Sequence, residues 1–270
     1  MVYDGEWMNH LRNGFGQGHY INNDMYEGEW VDDKRHGKGI EHTEDGVYYK
    51  GIWDKNVKSG MGLQKTSTTR YFGLFMNNWK NGFGMLIYDG DKMIRGNFVK
   101  DIINGYAVLI PGKNEKYFGM VFYGKRSGYG KYIQYQPQKA EILQIRGTRT
   151  DTKEVRVQQE VYKGEWYNDR KSGFGISVDL NGLKYEGEWS CGKKSGKGVL
   201  KKVTKDSTEI LYRGDWLEDR YHGSGIEYYN GGDKYVGQWR NGLRNGNGTY
   251  YKKGGTKLYV GTYVNDLKQG

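Results

Sequence analysis

With 44 glycines, 25 tyrosines and only 2 prolines among 270 residues, and a mean hydropathy of −0.91, the chain has too little aliphatic surface for a thick globular core. Its net charge of +10, from 42 basic and 32 acidic residues, favours anionic partners without choosing among them. No run approaches the ~18 apolar residues of a membrane span, Met1 leads straight into the first repeat without a signal-peptide pattern, and a single cysteine, Cys191, is not the paired usage of a secreted chain, so a soluble, cytoplasmic protein is expected.

From its first residues the chain repeats. Tyr-x-Gly-x-Trp or a close relative starts at Tyr3, Tyr26, Tyr49, Tyr71, Ile94, Tyr117, Tyr162, Tyr185, Tyr212, Tyr235 and Tyr259, mostly at steps of 22 to 24 residues. Seven residues after the Trp position comes Gly-x-Gly, as at Gly14-Gly16, Gly37-Gly39, Gly173-Gly175 and Gly223-Gly225. Coupled signals at a fixed offset mean a stack of small units. Tyr-x-Gly-x-Trp alternates with period two, which places Tyr, Gly and Trp on one face of a strand. The polar residues that follow read as a hairpin connection, and Gly-x-Gly opens the second strand. Glycine inside a strand marks a close approach by another group, so both glycines are expected to be sockets for Tyr and Trp rings.

This pattern resembles the MORN repeat family, whose units are single β-hairpins stacked into an elongated sheet, and the resemblance spans essentially the whole chain. It implies an all-β, single-layer solenoid of about eleven antiparallel hairpins, residues 1–270 forming one array. Some twenty strands at ~4.8 Å would then extend on the order of 100 Å. The family's usual glycine three residues after Trp is kept at Gly124, Gly192 and Gly242. It is replaced by His10, Asp33, Asn56, Asn78, Asp101, Asp169, Asp219 and Asp266, and Asn and Asp suit turn geometry. The fifth unit departs furthest, with Ile94, Phe98 and Ala107 for Tyr, Trp and the second Gly.

The regular step fails between Tyr117 and Tyr162. The insertion at about 136–161 contains two strand-like segments, Ala140–Arg146 and Glu154–Gln158, with a turn at Gly147–Thr152; it is either an elongated hairpin or a loop. A smaller extension at Lys201–Glu209 lengthens one hairpin. The chain begins on a first strand and stops where the next Gly-x-Gly would start, so end-to-end or edge-strand association, or continuation into a longer protein, is expected.

Chemistry is sparse. Gly119–Lys125 and Gly187–Lys193 match a phosphate-loop spacing, but Arg126 and Lys194 follow where Ser or Thr is needed, and no strand-to-helix context is expected. His10, His19, His36, His42 and His222 have no metal-ligand spacing with one another or with Cys191. Glu27, Glu29, Glu186, Glu188 and Asp215 occupy x positions of first strands and read as a solvated face. No nucleophile has a base, so neither catalysis nor a cofactor or metal is expected.

Two surfaces stand out. Basic residues cluster after the first strand: Lys34, Arg35, Lys58, Lys80, Lys125, Arg126, Arg170, Lys171, Lys193, Lys194, Arg220 and Arg244. They read either as solubilising charge or as a rail for acidic tails or anionic lipid headgroups. On the face opposite the rings, the middle units carry Ile52, Met61, Phe72, Leu74, Phe83, Tyr106, Phe118, Met120, Tyr129 and Phe174, which read either as an interface or as residues covered by the insertion.

The family resemblance implies a non-catalytic scaffold or adaptor binding other proteins of a large assembly at cytoskeletal or membrane-associated structures, and because the chain consists of repeats alone a cytoskeletal or ciliary axonemal setting is favoured. The alternatives are a peripheral module for acidic phospholipids, or the regulatory repeats of an enzyme lying outside this chain, since similar repeats precede lipid-kinase and methyltransferase domains. Nucleic acid is not an expected partner, because the aromatic rings are committed to the stack.

Overall fold

Strict alternation of aromatic and polar residues, interrupted every few residues by a pair of turn-forming Asn, Asp or Gly, makes a chain of short antiparallel strands. The structure is a computed structural model that describes the backbone of residues 1–142 and 151–269 and, within these, the side chains outside 138–156. Among the described residues all regular structure is strand, and the chain divides into two compact units, Met1–Gly124 and Lys125–Gly270.

The first unit contains β1 (Val2–Met8), β2 (Leu11–His19), β3 (Met25–Val31), β4 (Lys34–His42), β5 (Tyr48–Asp54), β6 (Val57–Lys65), β7 (Thr69–Met76), β8 (Trp79–Tyr88), β9 (Met93–Val99), β10 (Ile102–Gly112) and β11 (Glu115–Phe122). The second contains β12 (Lys125–Ile142), β13 (Asp151–Tyr167), β14 (Arg170–Asp179), β15 (Leu183–Ser190), β16 (Lys193–Val203), β17 (Thr208–Leu217), β18 (Arg220–Tyr228), β19 (Lys234–Arg240), β20 (Leu243–Tyr251), β21 (Lys257–Val264) and β22 (Leu267–Gln269). In each unit every strand pairs antiparallel with the next in sequence. β12 and β13 pair from Gly128 opposite Trp166 to Ile142 opposite Asp151, and residues 143–150, which hold most of the turn expected at 147–152, lie outside the described residues. The extension at Lys201–Glu209 pairs Val203 with Thr208 across a short turn.

The register places glycine opposite glycine. In the first unit Gly5 pairs with Gly16, Gly16 with Gly28, Gly28 with Gly39 and Gly39 with Gly51, and the second unit has a row of its own through Gly164, Gly175, Gly187 and Gly198. Each tyrosine lies across two of them. A Cβ on Gly28 would sit 2.7 Å from the Tyr26 hydroxyl, and one on Gly39 would sit 2.3 Å from it. The hydroxyl then donates to the carbonyl three residues on, Tyr26 to Glu29 at 3.0 Å and Tyr162 to Glu165 at 2.9 Å, which explains a phenol rather than a phenyl ring. Burial raises these phenols, that of Tyr71 to about 12.

Most tyrosines of the repeat meet two aromatic rings edge-on, usually indoles, with Phe75 and Phe98 taking that place around Tyr71. Tyr3 contacts Trp7 at 5.2 Å and Trp30 at 5.4 Å, and Tyr162 contacts Trp166 and Trp189, both at 5.2 Å. Such pairs contribute ~0.5–1.5 kcal/mol each beyond burial. The core is this line of rings, with Tyr49, Trp53, Tyr185 and Tyr212 buried. In the degenerate unit Ile94 replaces the ring, and the Ala107 methyl occupies the space that it frees.

Two expectations are corrected. Only the second glycine of Gly-x-Gly is a ring socket, and the ring is tyrosine. The first glycine holds the left-handed backbone of a β-bulge, with φ of 58° at Gly37 and 57° at Gly173, and a Cβ there would meet Glu29 or Glu165. The polar connection after Trp is also shorter than expected. It is a two-residue turn with positive φ at both residues, as at Asp32 (48°) and Asp33 (65°) or Asn77 (50°) and Asn78 (68°), the geometry that matches sheet twist.

Candidate functional site

A two-residue turn makes the basic residues after it part of the second strand, where neighbours point to opposite faces. The basic column therefore splits. Arg35, Lys58, Lys80, Arg126, Lys171, Lys194 and Arg244, each second after its turn, fold inward over the rings. The Arg35 guanidinium lies 4.2 Å from the Trp53 ring centroid, Arg126 lies 4.3 Å from Trp166, and the Lys171 ammonium is 4.9 Å from Trp189. Arg12 follows the same rule over Trp30 at 4.4 Å. Cation–ring contacts of this kind contribute ~0.5–2 kcal/mol.

These inward cations also bind carboxylates. Arg35 and Lys58 share Glu41 at 2.5 and 2.9 Å, Arg126 meets Asp169 at 3.1 Å, Arg244 meets Asp266 at 2.9 Å, and Lys171 pairs with Glu160. The second turn residue supplies many of the partners. Asp33 accepts both the backbone N–H and the side chain of Arg12, which holds its carboxyl below the usual range, and Asp101, Asp169 and Asp219 accept backbone N–H groups from the preceding hairpin. Burial lowers the Lys194 ammonium. Where the cation is replaced, by Ile103 or Tyr221, the next turn carries Gly124 or Gly242 instead of an acceptor; Tyr221 stacks on Tyr212 with centroids 3.7 Å apart. Of the column, only Lys34, Lys125, Arg170, Lys193 and Arg220, first after their turns, are exposed, and Lys193 pairs with Glu218 at 3.5 Å.

The outer face is read from the residues flanking the glycine row. The carboxylates there are more than solvated charge. Glu29 accepts the Lys38 N–H at 2.9 Å, Glu165 that of Phe174 at 3.0 Å, Glu188 that of Lys197 at 3.0 Å and Asp215 that of Ser224 at 2.9 Å, so each closes the bulge of its hairpin; Gln238 does the same for Asn247 at 2.9 Å. Glu186 instead takes both Lys184 and Lys201, which lower its carboxyl. At the same position the middle hairpins have Ile52, Leu74 and Met120. Each replacement gives up a hydrogen bond worth ~0.5–1.5 kcal/mol.

What those hairpins gain is apolar surface. Among the described residues nothing covers it: Phe72 is 54% exposed, Phe83 56%, Tyr106 64% and Met120 44%, with Met61 and Leu74 also exposed and Ile52 and Phe118 partly so. Met61 stands opposite Leu74 and Tyr106 opposite Met120, so these residues share one face of the first unit. A shallow depression of about 370 Å³ between Phe15, Ile40 and Ile52 opens beside them. Tyr129 and Phe174 are exposed in the second unit. Met76, Trp79, Val99, Ile102 and Phe122, exposed beside the turns, were missed from sequence because they lie beyond the Tyr-x-Gly-x-Trp frame; their signal was parity with the outward residues of the same strands.

The phosphate-loop look-alikes run from strand into two-residue turn, with Gly119 in β11 and Gly187 in β15, and lack the helix such a loop requires. No metal-holding group of His, Cys, Asp or Glu occurs among the described residues. No described helix is long and apolar enough to cross a membrane.

The model of the MORN repeat matches residues 3–25, 26–48, 71–92, 117–134, 162–183, 185–207, 212–234 and 235–257. Comparison with curated proteins gave no match. Repeats of this kind commonly serve as protein- or membrane-lipid-interaction modules. The starts at Tyr49, Ile94 and Tyr259, which the model does not match, form the same hairpins in β5–β6, β9–β10 and β21–β22. With more than half of its residues matched and its strands paired in this repeating hairpin, the chain belongs to the MORN-repeat family.

Proposed function

We propose that the chain is a non-catalytic adaptor that binds protein partners through the apolar outer face of its first unit, within a cytoplasmic, cytoskeletal or ciliary axonemal assembly. One observation carries the reading. At the position where Glu29 and Glu165 close the bulges of their hairpins, the first unit has Ile52, Leu74 and Met120, giving up local hydrogen bonds to expose a contiguous apolar surface. A local rule broken without local gain is expected at a functional surface. The inward fold of most of the basic column supports protein over lipid, because cations lying on rings and carboxylates are not available to headgroups. The assembly itself is what the family resemblance implies.

The test is the double substitution Phe72→Ser with Met120→Ser. Both side chains are about half exposed, so the melting temperature should hold. Capture of partners by the tagged protein should fall, with a few anchors dominating. Unchanged capture, or tight headgroup-selective binding to anionic liposomes that survives the substitution, would overturn the proposal.

A further inference from the structure

The outer face of β6–β11 is charged in one sense only. Between residues 57 and 122 the carboxylates are Asp89 and Asp91 in the β8–β9 connection, Asp101 in a turn, and Glu115 on the inward parity of β11. Arg70 and Arg95 point outward and are exposed. Among the described residues neither has a carboxylate within ion-pairing distance, and Arg95 lies 5.6 Å from the Phe83 ring centroid. Lys50, on the adjacent β5, is exposed on the same face. The Lys50 and Arg95 position is acidic at Glu27 and Glu186 and basic again at Lys163 and Arg213, while the Ile52, Leu74 and Met120 position is Glu29 or Glu188 in other hairpins.

Resting on the docking function proposed above, we infer that this face receives an amphipathic helix of a protein partner, with carboxylates along the edge of its apolar stripe. The first strands of successive hairpins, β5, β7 and β9, are roughly 10 Å apart at ~4.8 Å per strand. Two helical turns rise ~11 Å. The register puts Lys50 and Arg95 in one row with Phe72, and Arg70 two residues further along β7, so a helix crossing the strands presents carboxylates four strands apart to Lys50 and Arg95 and one from its edge to Arg70, while its apolar stripe covers Phe72, Leu74 and Met120. A lipid surface shares this charge preference, but strand side chains that are only about half exposed do not reach the ~5–10 Å depth of interfacial insertion.

The probe is a labelled synthetic helix of ~18 residues with a leucine stripe flanked by Glu, compared with its Lys-flanked counterpart, both titrated by fluorescence anisotropy against the full chain. The Glu peptide should bind about tenfold tighter, and Arg70→Glu with Arg95→Glu should reverse that order. Phe72→Ser with Met120→Ser should abolish both interactions. Equal affinity for the two peptides, or indifference to the arginine reversal, overturns the inference. So does binding of phosphatidylserine vesicles with neither peptide bound. Separate failures are distinguishable: if cellular partners are lost with the Phe72/Met120 variant but kept by the arginine reversal, docking stands and the acidic helix falls. If both variants keep them, the docking function itself falls.

Discussion

Gly175→Ala tests the packing rule at its tightest point. The new methyl would lie 2.3 Å from the Tyr162 hydroxyl and 2.5 and 2.6 Å from two ring carbons, so the ring must leave its place. Tyr162 is completely buried, meets Trp166 and Trp189 edge-on, and donates to the Glu165 carbonyl. Overpacking costs ~1–3 kcal/mol, the hydrogen bond adds ~1 kcal/mol, and the two ring contacts add ~1 kcal/mol together if half lost, giving roughly 3–5 kcal/mol. The chain contains its own compensation, because Ala107 replaces this glycine where Ile94 replaces the tyrosine. Tyr162→Ile alone should also destabilise, yet the double variant should recover ~1–3 kcal/mol of the summed cost. Thermal melts of the four proteins close the cycle, at ~2–4 °C per kcal/mol for a unit of this size. Additive costs, or a Gly175→Ala variant that melts with the parent, would refute the ring-on-glycine account.

Arg35→Met should cost ~1–2 kcal/mol, because it removes a cation from the Trp53 ring and leaves Glu41 with Lys58 alone, whereas Lys34→Met on the outward face should cost almost nothing; paired melts compare them. Glu188→Ala should lose ~1 kcal/mol with the bulge hydrogen bond, and Glu188→Gln should retain it because Gln238 already serves that role; denaturant unfolding separates the two. Burial raises the phenols of Tyr71 and Tyr235 from 10.0 to about 12, so the folded state holds these protons more tightly. Their contribution is complete below pH 10 and is lost as pH rises from 10 through 12, so melting temperature should fall across that window with delayed phenolate absorbance; a flat alkaline profile would contradict the burial.

The repeat was legible because Tyr-x-Gly-x-Trp and Gly-x-Gly are coupled at constant offset, and alternation alone assigns the faces of the first strand. What was not legible followed from turn length. Whether the polar residues after Trp form a loop or a two-residue turn changes the parity of everything behind them, and a one-residue slip moves a side chain to the other face. Arg35 and Lys34 were therefore read as one column although they face opposite ways. The left-handed bulge at Gly37 and the ring socket at Gly39 look identical as letters; only the paired register separates a glycine needed for φ from one needed for space. The capping role of Glu29 depended on that bulge. The apolar face needed nothing beyond parity with the glycines, which is why Phe72, Phe83 and Met120 were identifiable, while Trp79 and Phe122, beside the turns, were not.

Proximity labelling in the protein's own cells tests the central claim most directly. The comparison is between the unmodified chain, the Phe72→Ser with Met120→Ser variant, and a variant reversing the outward cations Lys34, Arg170, Lys193 and Arg220 to Glu. Those four are chosen because reversing Arg126, Lys171 or Lys194 would disturb the ring stack rather than the surface. The account predicts that the serine variant, folded and expressed at parental levels, loses the parental set of protein neighbours, while the charge-reversed variant keeps that set and the parental localisation. Retention of neighbours by the serine variant together with their loss on charge reversal would contradict it and place recognition on the exposed cations.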